Sequence, residues 1–430
     1  MGKEFASGDT SWFVKDRFGM FIHWGIYAVS GRYEWIRYYE EISNEDYQKY
    51  FDYFDPDLFN PQEWAKAAKD AGMKYFVITT KHHDGFCMWD SAYTDYKCTN
   101  TPCGRNLLLE IVEAFRAEDI KVGLYYSLLD WYHPEFPIDN RHPERNRDPE
   151  RKLNANRDMK KYTEYMRNQV RELLTQFGKI DILFFDFTYP EEDGKSSDDW
   201  EAEEMIKMIR ELQPDIILND RLGIPGSGDI FTPEQHLLAE RPTDKNGTPL
   251  VWESCQTFSG NWGYSRDETT WKSIPMLVQM LVEHVAMSGN LLLNVGPTGR
   301  GTFDYRAMNA LTGIGEWMKY HARSIHDCES APDGLVAPKD CRYTWNPETN
   351  RLYLHLFAWP FKSVHLPYLG NGKVKYAQLL NDGSELQMRD ESSTGEHCCL
   401  DVKTPSGALT INLPIIQPDV TVPVIELFLA

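Results

Sequence analysis

The chain has 430 residues, of which 42% are hydrophobic and 26% charged, so it can build a sizeable core and global disorder is not expected. Its net charge of −20 argues against a nucleic-acid partner, because a phosphate backbone requires a basic surface. No apolar run reaches the roughly 18 residues of a membrane span, and the first residues lack the pattern of a secretory signal, so we expect no membrane partner and a cytoplasmic location.

From about residue 15 to residue 300, short apolar runs alternate with amphipathic segments. The apolar runs are "GMFIHWG", "KYFVITTKHHDGF", "KVGLYYSLLDW", "DILFFDFTYP", "DIILNDRLG", "LVWESCQT" and "NLLLNVGPTG". Each run is typical of a strand buried on both faces, as in a parallel sheet, and the segments between them predict helices. In one such helix, Asn60 is the predicted N-cap, Pro61 the first helical residue and Gly72 the stop.

Seven β/α alternations favour an α/β fold with a (β/α)8-like, TIM-type barrel over a doubly wound sheet. The position of the remaining strand is not evident from the sequence. The segment after the first strand, "HWGIYAVSGRYEW", lacks the glycine spacing of a dinucleotide-binding loop. The loop that starts at His133 is long, charged and proline-rich, which is typical of a functional lid or of partial disorder.

The pattern changes near residue 335, where short alternating runs are punctuated by Gly, Pro and Asn. This spacing predicts an antiparallel β-sandwich. We therefore expect a catalytic barrel over residues 1–334 and a C-terminal β-sandwich domain over residues 335–430. The sandwich could support the barrel or bind carbohydrate, and support is the preferred interpretation.

The cysteine pattern indicates neither a zinc ribbon nor a disulfide framework. The eight cysteines are Cys87, Cys98, Cys103, Cys255, Cys328, Cys341, Cys398 and Cys399. None forms a C-x-x-C pair, so reduced thiols are the simplest interpretation.

Polar and aromatic residues gather at the predicted strand ends, where a barrel places its active site. They are His23 and Trp24, then Lys81, His82, His83 and Asp84, then Tyr125, Tyr126, Asp130 and Trp131, then Asp186, then Asn219, Asp220 and Arg221, then Trp252 and Glu253, and finally Asn294, with Glu34 and Trp35 in a loop after the first strand. Asp186 directly follows "ILFF" and leaves an apolar interior. A buried carboxylate costs several kcal/mol unless it is paired, so a functional role is favoured over a helix cap.

The adjacent residues His82 and His83 could bind a metal, hold a polar ligand or lie in the core. Neighbouring residues of a strand point to opposite faces, so only one of the two is expected to reach a shared centre. No H-x-H or H-E-x-x-H spacing is present. These observations disfavour a metal and favour imidazoles that donate to ligand hydroxyls or tune Asp186.

Several motifs in order resemble glycoside hydrolase family 29, the α-L-fucosidases. They are "RFGMFIHWGIYAV", "EWIRYY", "GMKYFVITTKHHDGFCMWDS", "ILFFDF", "LNDR", "WESCQT", "NWGY" and "LLLNVGPTGRG", between about Trp12 and Ile325. The resemblance implies exo-acting, retaining hydrolysis of terminal α-L-fucose from oligosaccharides or glycoconjugates, through a covalent fucosyl-enzyme and without a metal or cofactor. Transfucosylation and a homo-oligomeric state are left open.

The resemblance also implies roles for individual residues. Asp186 corresponds to the nucleophile. The residues that correspond to fucose-binding positions are His23, Glu34, Trp35, His82, His83, Tyr126 and Arg221, with Trp262 or Phe258 against the fucose methyl group. Phe184 stands where relatives often have Trp, which alters stacking but not the chemistry.

The general acid/base is the least certain correspondence, because the family places it on a variable loop. Glu234 follows Arg221 by a family-like interval and is the first choice. Glu253 in "WESC" is the alternative, or a residue behind the site, and Glu240 and Asp229 are further candidates.

Two alternative hypotheses about the function use the same residues. A metal-dependent barrel hydrolase would use His23, His82 and Asp84. A non-catalytic fucose-binding protein on the same scaffold would be marked by a missing nucleophile, whereas Asp186 is present.

Overall fold

A computed structural model describes residues 5–391 and 407–430 of the chain. Its first part is a seven-stranded, wholly parallel sheet in the order β5-β4-β3-β2-β1-β7-β6. The strands are β1 (Phe18–Ile22), β2 (Tyr75–Lys81), β3 (Lys121–Ser127), β4 (Ile182–Asp186), β5 (Ile217–Leu218), β6 (Glu253–Thr257) and β7 (Asn290–Val295). Almost every strand residue is buried, which confirms the prediction of a parallel sheet covered on both faces.

Helices connect and cover these strands. They are α1 (Phe13–Asp16), α2 (Ile36–Tyr39), α3 (Asn44–Asp52), α4 (Pro61–Asp70), α5 (Leu107–Ala117), α6 (Met159–Gln176), α7 (Ala202–Leu212), α8 (Ile274–Ala286) and α9 (Tyr305–His321). The predicted start of α4 is confirmed, because the Asn60 side chain accepts a hydrogen bond from the backbone N–H of Gln62 and Pro61 is the first helical residue. Gly72 follows the helix with φ +84°, a conformation that favours glycine.

The two edge strands of the sheet, β5 and β6, are separated by residues 230–234. This segment makes isolated parallel bridges to both sides: Ile230 pairs with Asn219, Phe231 with Trp252 and Glu234 with Cys255. The α/β class and the curled parallel sheet are thus as predicted. Residues 230–234 were not recognised in the sequence because they include no apolar run of strand length.

The C-terminal part consists of two antiparallel sheets. One has the order β11-β14-β9-β8 and the other β10-β13-β12. The strands are β8 (Cys341–Asn346), β9 (Arg351–Leu356), β10 (Ser363–Leu366), β11 (Val374–Leu379), β12 (Met388–Glu391), β13 (Ala408–Asn412) and β14 (Val424–Leu429). Apolar residues from both sheets, such as Leu354 and Ile411, share one buried cluster.

Six of the eight cysteines are free thiols, and Cys398 and Cys399 lie outside the described residues. In the described ranges no helix is long and apolar enough to cross a membrane.

Candidate active site

A pocket of about 290 Å³ lies at the carboxyl ends of the parallel strands. Its walls are Phe21, His23, Trp35, Tyr38, Tyr39, His82, His83, Tyr125, Arg141, Phe184, Asp186, Phe187, Arg221, Glu234, Cys255 and Trp262. The volume is at the small end of ligand-binding pockets, which suits a ligand of about one sugar ring. Charged, imidazole and aromatic side chains therefore meet at the carboxyl ends of the parallel strands, the edge at which α/β proteins bind their ligands.

Asp186, the last residue of β4, places its carboxylate in this pocket. Its Oδ1 accepts a hydrogen bond from Arg221 Nη1 at 2.6 Å, and its Oδ2 accepts one from the Tyr125 hydroxyl at 2.8 Å. The side chain of Asn219 bonds to both the N–H and the C=O of Phe185, so the strand is fixed just before the carboxylate. Each carboxylate oxygen of Asp186 therefore has its own hydrogen-bond donor.

The surroundings keep Asp186 ionised. Burial alone would raise the pKa of its carboxyl, but the nearby Arg221 charge and the hydrogen bonds from Arg221 and Tyr125 hold that pKa below its usual value. Arg221 is itself fixed by bonds from its Nη2 to the carbonyl of Thr232 and from its Nε to the Thr232 hydroxyl. A guanidinium anchored in this way cannot easily leave the carboxylate.

Glu234 is the second carboxylate of the pocket. Its Oε2 accepts a hydrogen bond from Arg221 Nη1 at 2.8 Å, and its carboxyl also has a hydrogen bond with the Trp262 side chain. Burial and the negative charge of Asp186 raise the pKa of Glu234, although Arg221 opposes them. The pKa values of the two carboxyl groups are therefore displaced in opposite directions.

The single nitrogen shared by both carboxylates limits their separation. Asp186 Oδ1 lies 2.6 Å and Glu234 Oε2 lies 2.8 Å from Arg221 Nη1, so these two oxygens can be no more than the sum of those distances, 5.4 Å, apart. Carboxyl groups about 5–5.5 Å apart are typical of retaining glycosidases, whereas inverting enzymes need a gap of about 6.5–9.5 Å.

His23 presents a hydrogen-bond acceptor to the pocket. Asn294 donates from Nδ2 to the Trp262 carbonyl, so its Oδ1 accepts from His23 Nδ1 at 2.6 Å. Burial lowers the pKa of His23 to about 3, so the ring is neutral with its proton on Nδ1. The other ring nitrogen, Nε2, is then an acceptor for a ligand hydroxyl.

His82 and His83 both line the pocket, with ring centroids 4.0 Å apart, so the expectation that they face opposite ways is wrong. Strand β2 ends at Lys81, and a turn follows in which the N–H of Gly85 bonds to the carbonyl of His82, so strand alternation no longer applies. His83 Nδ1 lies 2.6 Å from the Ser127 hydroxyl, which donates to the Leu129 carbonyl.

The proton of the His83 ring is therefore on Nδ1, and Nε2 lies 4.0 Å from Asp186 Oδ2. Burial lowers the pKa of His83 to about 4 and the pKa of His82 well below its ordinary value. His82 Nδ1 is buried without a hydrogen-bond partner in the described part of the chain.

Residues 5–323 match the family profile described as Alpha-L-fucosidase. The chain belongs to the α-L-fucosidase family. The plasma alpha-L-fucosidase of Homo sapiens is 30% identical to it over 380 residues, covering 81% of this chain and 76% of the human protein. The enzyme is thus a glycoside hydrolase by family.

Solved structures agree with this membership. Alpha-L-fucosidase isoenzyme 1 from Paenibacillus thiaminolyticus has a TM-score of 0.91 and 44% identity, and the match covers 98% of each chain. A GH29 alpha-L-fucosidase from Bacteroides thetaiotaomicron has a TM-score of 0.83 and 27% identity, and covers 99% of this chain and 98% of its own. That structure is of a trapped covalent intermediate in complex with 2-fluoro-fucosyl fluoride.

The Tyr125–Tyr126 pair of β3 corrects one of the predicted fucose-binding residues. Tyr126 does not line the pocket: it points toward α6, where its hydroxyl donates to Gln169 Oε1 at 2.8 Å. Tyr125 contacts Asp186 instead. Adjacent strand residues face opposite sides, and a Tyr-Tyr pair gives no sign in the sequence of which one faces inward.

Glu34 and Trp35 are adjacent but lie at different depths. Trp35 lines the pocket, with its ring 4.9 Å from that of His83. Glu34 lies behind the wall, where its Oε2 accepts a hydrogen bond from the N–H of Gly263 at 2.7 Å. Burial raises the pKa of Glu34 to about 6. Its contact supports the loop that carries Trp262 rather than the pocket lining itself.

Trp262, not Phe258, lines the pocket, and its ring centroid is 5.1 Å from that of His23. Phe258 is buried elsewhere. Phe184 also lines the pocket, where the Arg221 guanidinium lies 5.1 Å from its ring centroid. The apolar wall predicted for a sugar methyl group is therefore composed of aromatic rings.

Glu253 lies away from the pocket. The sequence predicts it at the carboxyl end of a strand, but it is the first residue of β6, at the opposite end of the strand from the pocket. The Tyr75 hydroxyl donates to its Oε2, and burial raises the pKa of Glu253 to about 8. Asp229 accepts hydrogen bonds from Arg210 and from the N–H of Leu218, and Glu240 is exposed outside the pocket. Only Glu234 among the four acid/base candidates lines the pocket.

Asp84, a ligand in the hypothesis of a metal-dependent hydrolase, does not line the pocket. Its carboxylate accepts hydrogen bonds from the Tyr47 hydroxyl and from the N–H of Phe86. Over residues 5–391 and 407–430, no group of three or more His, Cys, Asp or Glu side chains could hold a metal ion. Sequence reasoning missed several wall residues, among them Tyr38, Tyr39, Arg141 and Phe187. Of these, Arg141 comes from the long loop after β3, whose charged, proline-rich sequence is typical of a functional lid or of partial disorder.

Proposed function

We propose that this fucosidase is an exo-acting, retaining enzyme that releases terminal α-L-fucose by double displacement. The observation that carries the proposal is the pair of carboxylates on one guanidinium, whose two bonded oxygens are at most 5.4 Å apart and whose pKa values are displaced in opposite directions. Asp186 would be the nucleophile and Glu234 the general acid/base. The pocket has room for about one sugar ring, which supports the removal of a terminal sugar.

In the first step, ionised Asp186 would attack the anomeric carbon while protonated Glu234 gives its proton to the leaving oxygen. Ester formation would remove the negative charge of Asp186, which is one of the causes that raise the pKa of Glu234. Glu234 would then lose its proton more readily and act as base on the attacking water. The same intermediate could pass fucose to a sugar hydroxyl, so transfucosylation belongs to the same proposal.

The neutral imidazoles would bind fucose as acceptors rather than donors. His23 and His83 both carry their proton on Nδ1, where each has a protein partner, so a sugar hydroxyl would donate to Nε2. Trp262 and Phe184 would cover the apolar face of the sugar.

Two further proposals concern the architecture around the site. Residues 230–234 bridge β5 to β6, so they would act as the eighth strand of a closed barrel and carry Glu234 to the site. The two antiparallel sheets, with their shared apolar cluster, would form a β-sandwich domain over residues 335–430 beside a catalytic barrel over residues 1–334.

Replacement of the nucleophile tests the function. Asp186→Gly should reduce turnover of an aryl α-L-fucoside by more than about 10³-fold, or about 4 kcal/mol in the barrier, and azide should restore part of it. A binding protein without catalysis would release no fucose even as wild type. Near-full activity of Asp186→Gly would contradict the mechanism.

A further inference from the structure

The pocket of about 290 Å³ that is proposed to hold fucose is called the fucose pocket below. A second cavity, of about 650 Å³, opens beside it. We call it the outer cavity, and its walls include Tyr189 and Ser197. Five of its lining residues also line the fucose pocket: Arg141, Asp186, Phe187, Arg221 and Glu234. The two cavities therefore meet at the reacting groups.

The position of Glu234 decides what the outer cavity receives. In the proposed mechanism, on which this inference rests, the acid donates a proton to the glycosidic oxygen, so that oxygen lies beside Glu234. The group attached to the oxygen must leave the fucose pocket on that side. The outer cavity is the space that begins there, since Glu234 and Asp186 form its inner wall.

The size and walls of the outer cavity fit a sugar. It has more than twice the volume of the pocket that is proposed to hold one ring. The aromatic ring of Phe187 stands among hydroxyl-bearing side chains of Thr188, Ser196 and Ser197. A mixed wall of this kind is suited to a ring with apolar C–H faces and polar edges.

Arg141 lines both cavities and has donors available to a ligand. Its Nε is buried without a hydrogen-bond partner in the described ranges. Its only ion pair there is a loose one, with Nη2 3.8 Å from Glu191 Oε2 and side chains that are 37% and 65% exposed. The outer nitrogens Nη1 and Nη2 donate no hydrogen bond within the described ranges, and the side chain is partly exposed, so these two groups can donate to a hydroxyl-rich ligand.

The loop that carries Arg141 is braced against the wall of the outer cavity. Asp139, two residues earlier, accepts hydrogen bonds from the Tyr189 hydroxyl and from Lys195 Nζ, and all three residues are buried. The N–H of Tyr189 in turn bonds to the carbonyl of Lys195. Arg141 is thus held at a fixed place relative to the segment that follows Asp186.

A glycosidase that acts on oligosaccharides holds the leaving sugar beside its acid, and the outer cavity is the space at that place. We propose that Arg141 is a specificity-determining residue for this leaving sugar. Its guanidinium would donate to the hydroxyls of that sugar close to the glycosidic bond.

The test fills the outer cavity and compares two leaving groups. Ser197→Trp is measured on α-L-fucosyl fluoride, whose leaving group is one atom, and on whichever α1-2, α1-3, α1-4 or α1-6 fucosyl disaccharide the wild type hydrolyses best. We expect kcat/KM to fall at least 10-fold on the disaccharide and to stay within 2-fold on the fluoride. Ser363→Trp, at a half-buried serine of β10 that lines neither cavity, should change neither.

Arg141→Met keeps the apolar stem and removes the donors, and should weaken the disaccharide reaction more than the fluoride reaction. Equal losses on both substrates, or no loss on either, in Ser197→Trp or in Arg141→Met would overturn the inference while leaving the fucosidase mechanism intact. So would a wild type that hydrolyses the fluoride but none of the disaccharides. A wild type inactive on both kinds of substrate would instead overturn the proposed function.

Discussion

Two carboxyl groups that share one arginine make the pH dependence of this enzyme predictable. In the proposed mechanism Asp186 must be ionised to attack, and its pKa is held below the ordinary value, so activity should fall on the acidic side only at a pH below the ordinary pKa of an aspartate. In the same mechanism Glu234 must be protonated, and its pKa is raised, so activity should fall again as the pH rises through that pKa. The profile of kcat/KM against pH should be bell-shaped.

Glu234→Gln separates the two limbs of that profile. On 2,4-dinitrophenyl α-L-fucoside, whose leaving group needs no proton, the variant should keep the acidic limb and lose the basic limb of the first step, which stopped-flow release of the phenolate measures. A basic limb that survives in Glu234→Gln would show that the titration of a group other than Glu234 causes it.

Glu253 predicts a pH effect on stability rather than on activity. Burial raises its pKa from 4.5 to about 8, so between these values the folded chain keeps a proton that the unfolded chain has lost. Stability should therefore fall as the pH rises from 4.5 to 8, by an amount on the order of a few kcal/mol, and level off above.

Glu253→Gln resembles the protonated acid and has no such proton to lose. Guanidinium denaturation at pH 5 and pH 8.5 should show a smaller pH dependence for this variant than for the wild type. The matched control is Glu240→Gln, at an exposed glutamate, which should leave the pH dependence unchanged. An identical pH dependence in Glu253→Gln would mean that Glu253 is already ionised in the folded state.

At the scale of elements, the sequence predicted strands and helices well wherever one physical signal dominated. Apolar runs marked the strands, and Asn60 with Pro61 marked the start of α4, because burial and capping act locally. The signal failed at strand ends. His82 and His83 lie just beyond β2, and Glu253 lies at the start of β6, so errors of one or two residues changed their predicted positions.

Facing and register depend on contacts that a single sequence does not contain. Nothing local distinguishes Tyr125 from Tyr126, since the choice is made by the partners Asp186 and Gln169 across the fold. Glu234 reaches the pocket through bridges that involve only a few residues. The position of Asp186 in the pocket was easier to predict, because a carboxylate at the end of an apolar strand is costly unless it is paired.

The ion pair between Asp139 and Lys195 gives a prediction at the scale of elements. The loop of residues 133–157 is held to the segment after β4 by buried Asp139 and Lys195. Lys195→Met would leave a buried carboxylate without its opposite charge, at a cost of about 3–5 kcal/mol. Because the loop is at the surface, we expect local opening, seen as faster proteolysis within residues 133–157 and a lower kcat/KM.

The double variant Asp139→Asn with Lys195→Met tests whether charge is the cause. With no buried charge left, it should regain much of the protease resistance that the single variant loses. If the single and double variants were cut equally fast, the loop would depend on the packing of the Lys195 stem and not on the ion pair.

At the scale of the whole molecule, the C-terminal sheets and the parallel-sheet part share buried structure. Val422 and Val424 belong to the same buried cluster as the helices around the parallel sheet. Trp317 of α9 donates from Nε1 to the carbonyl of Val422, and the Thr344 hydroxyl of β8 donates to the carbonyl of Ser324. The two parts should therefore unfold together and not as independent bodies.

Val424→Asp tests this coupling. Val424 is fully buried, so a carboxylate there should cost at least about 3 kcal/mol and lower the melting temperature of the whole chain in one transition. Activity should be lost at the same temperature as the ellipticity, although Val424 does not line the catalytic pocket. Ile416→Asp introduces the same charge at a side chain that is 83% exposed and should leave the melting temperature nearly unchanged. Two separate transitions in Val424→Asp, with activity retained through the first, would show that the C-terminal sheets do not support the catalytic part.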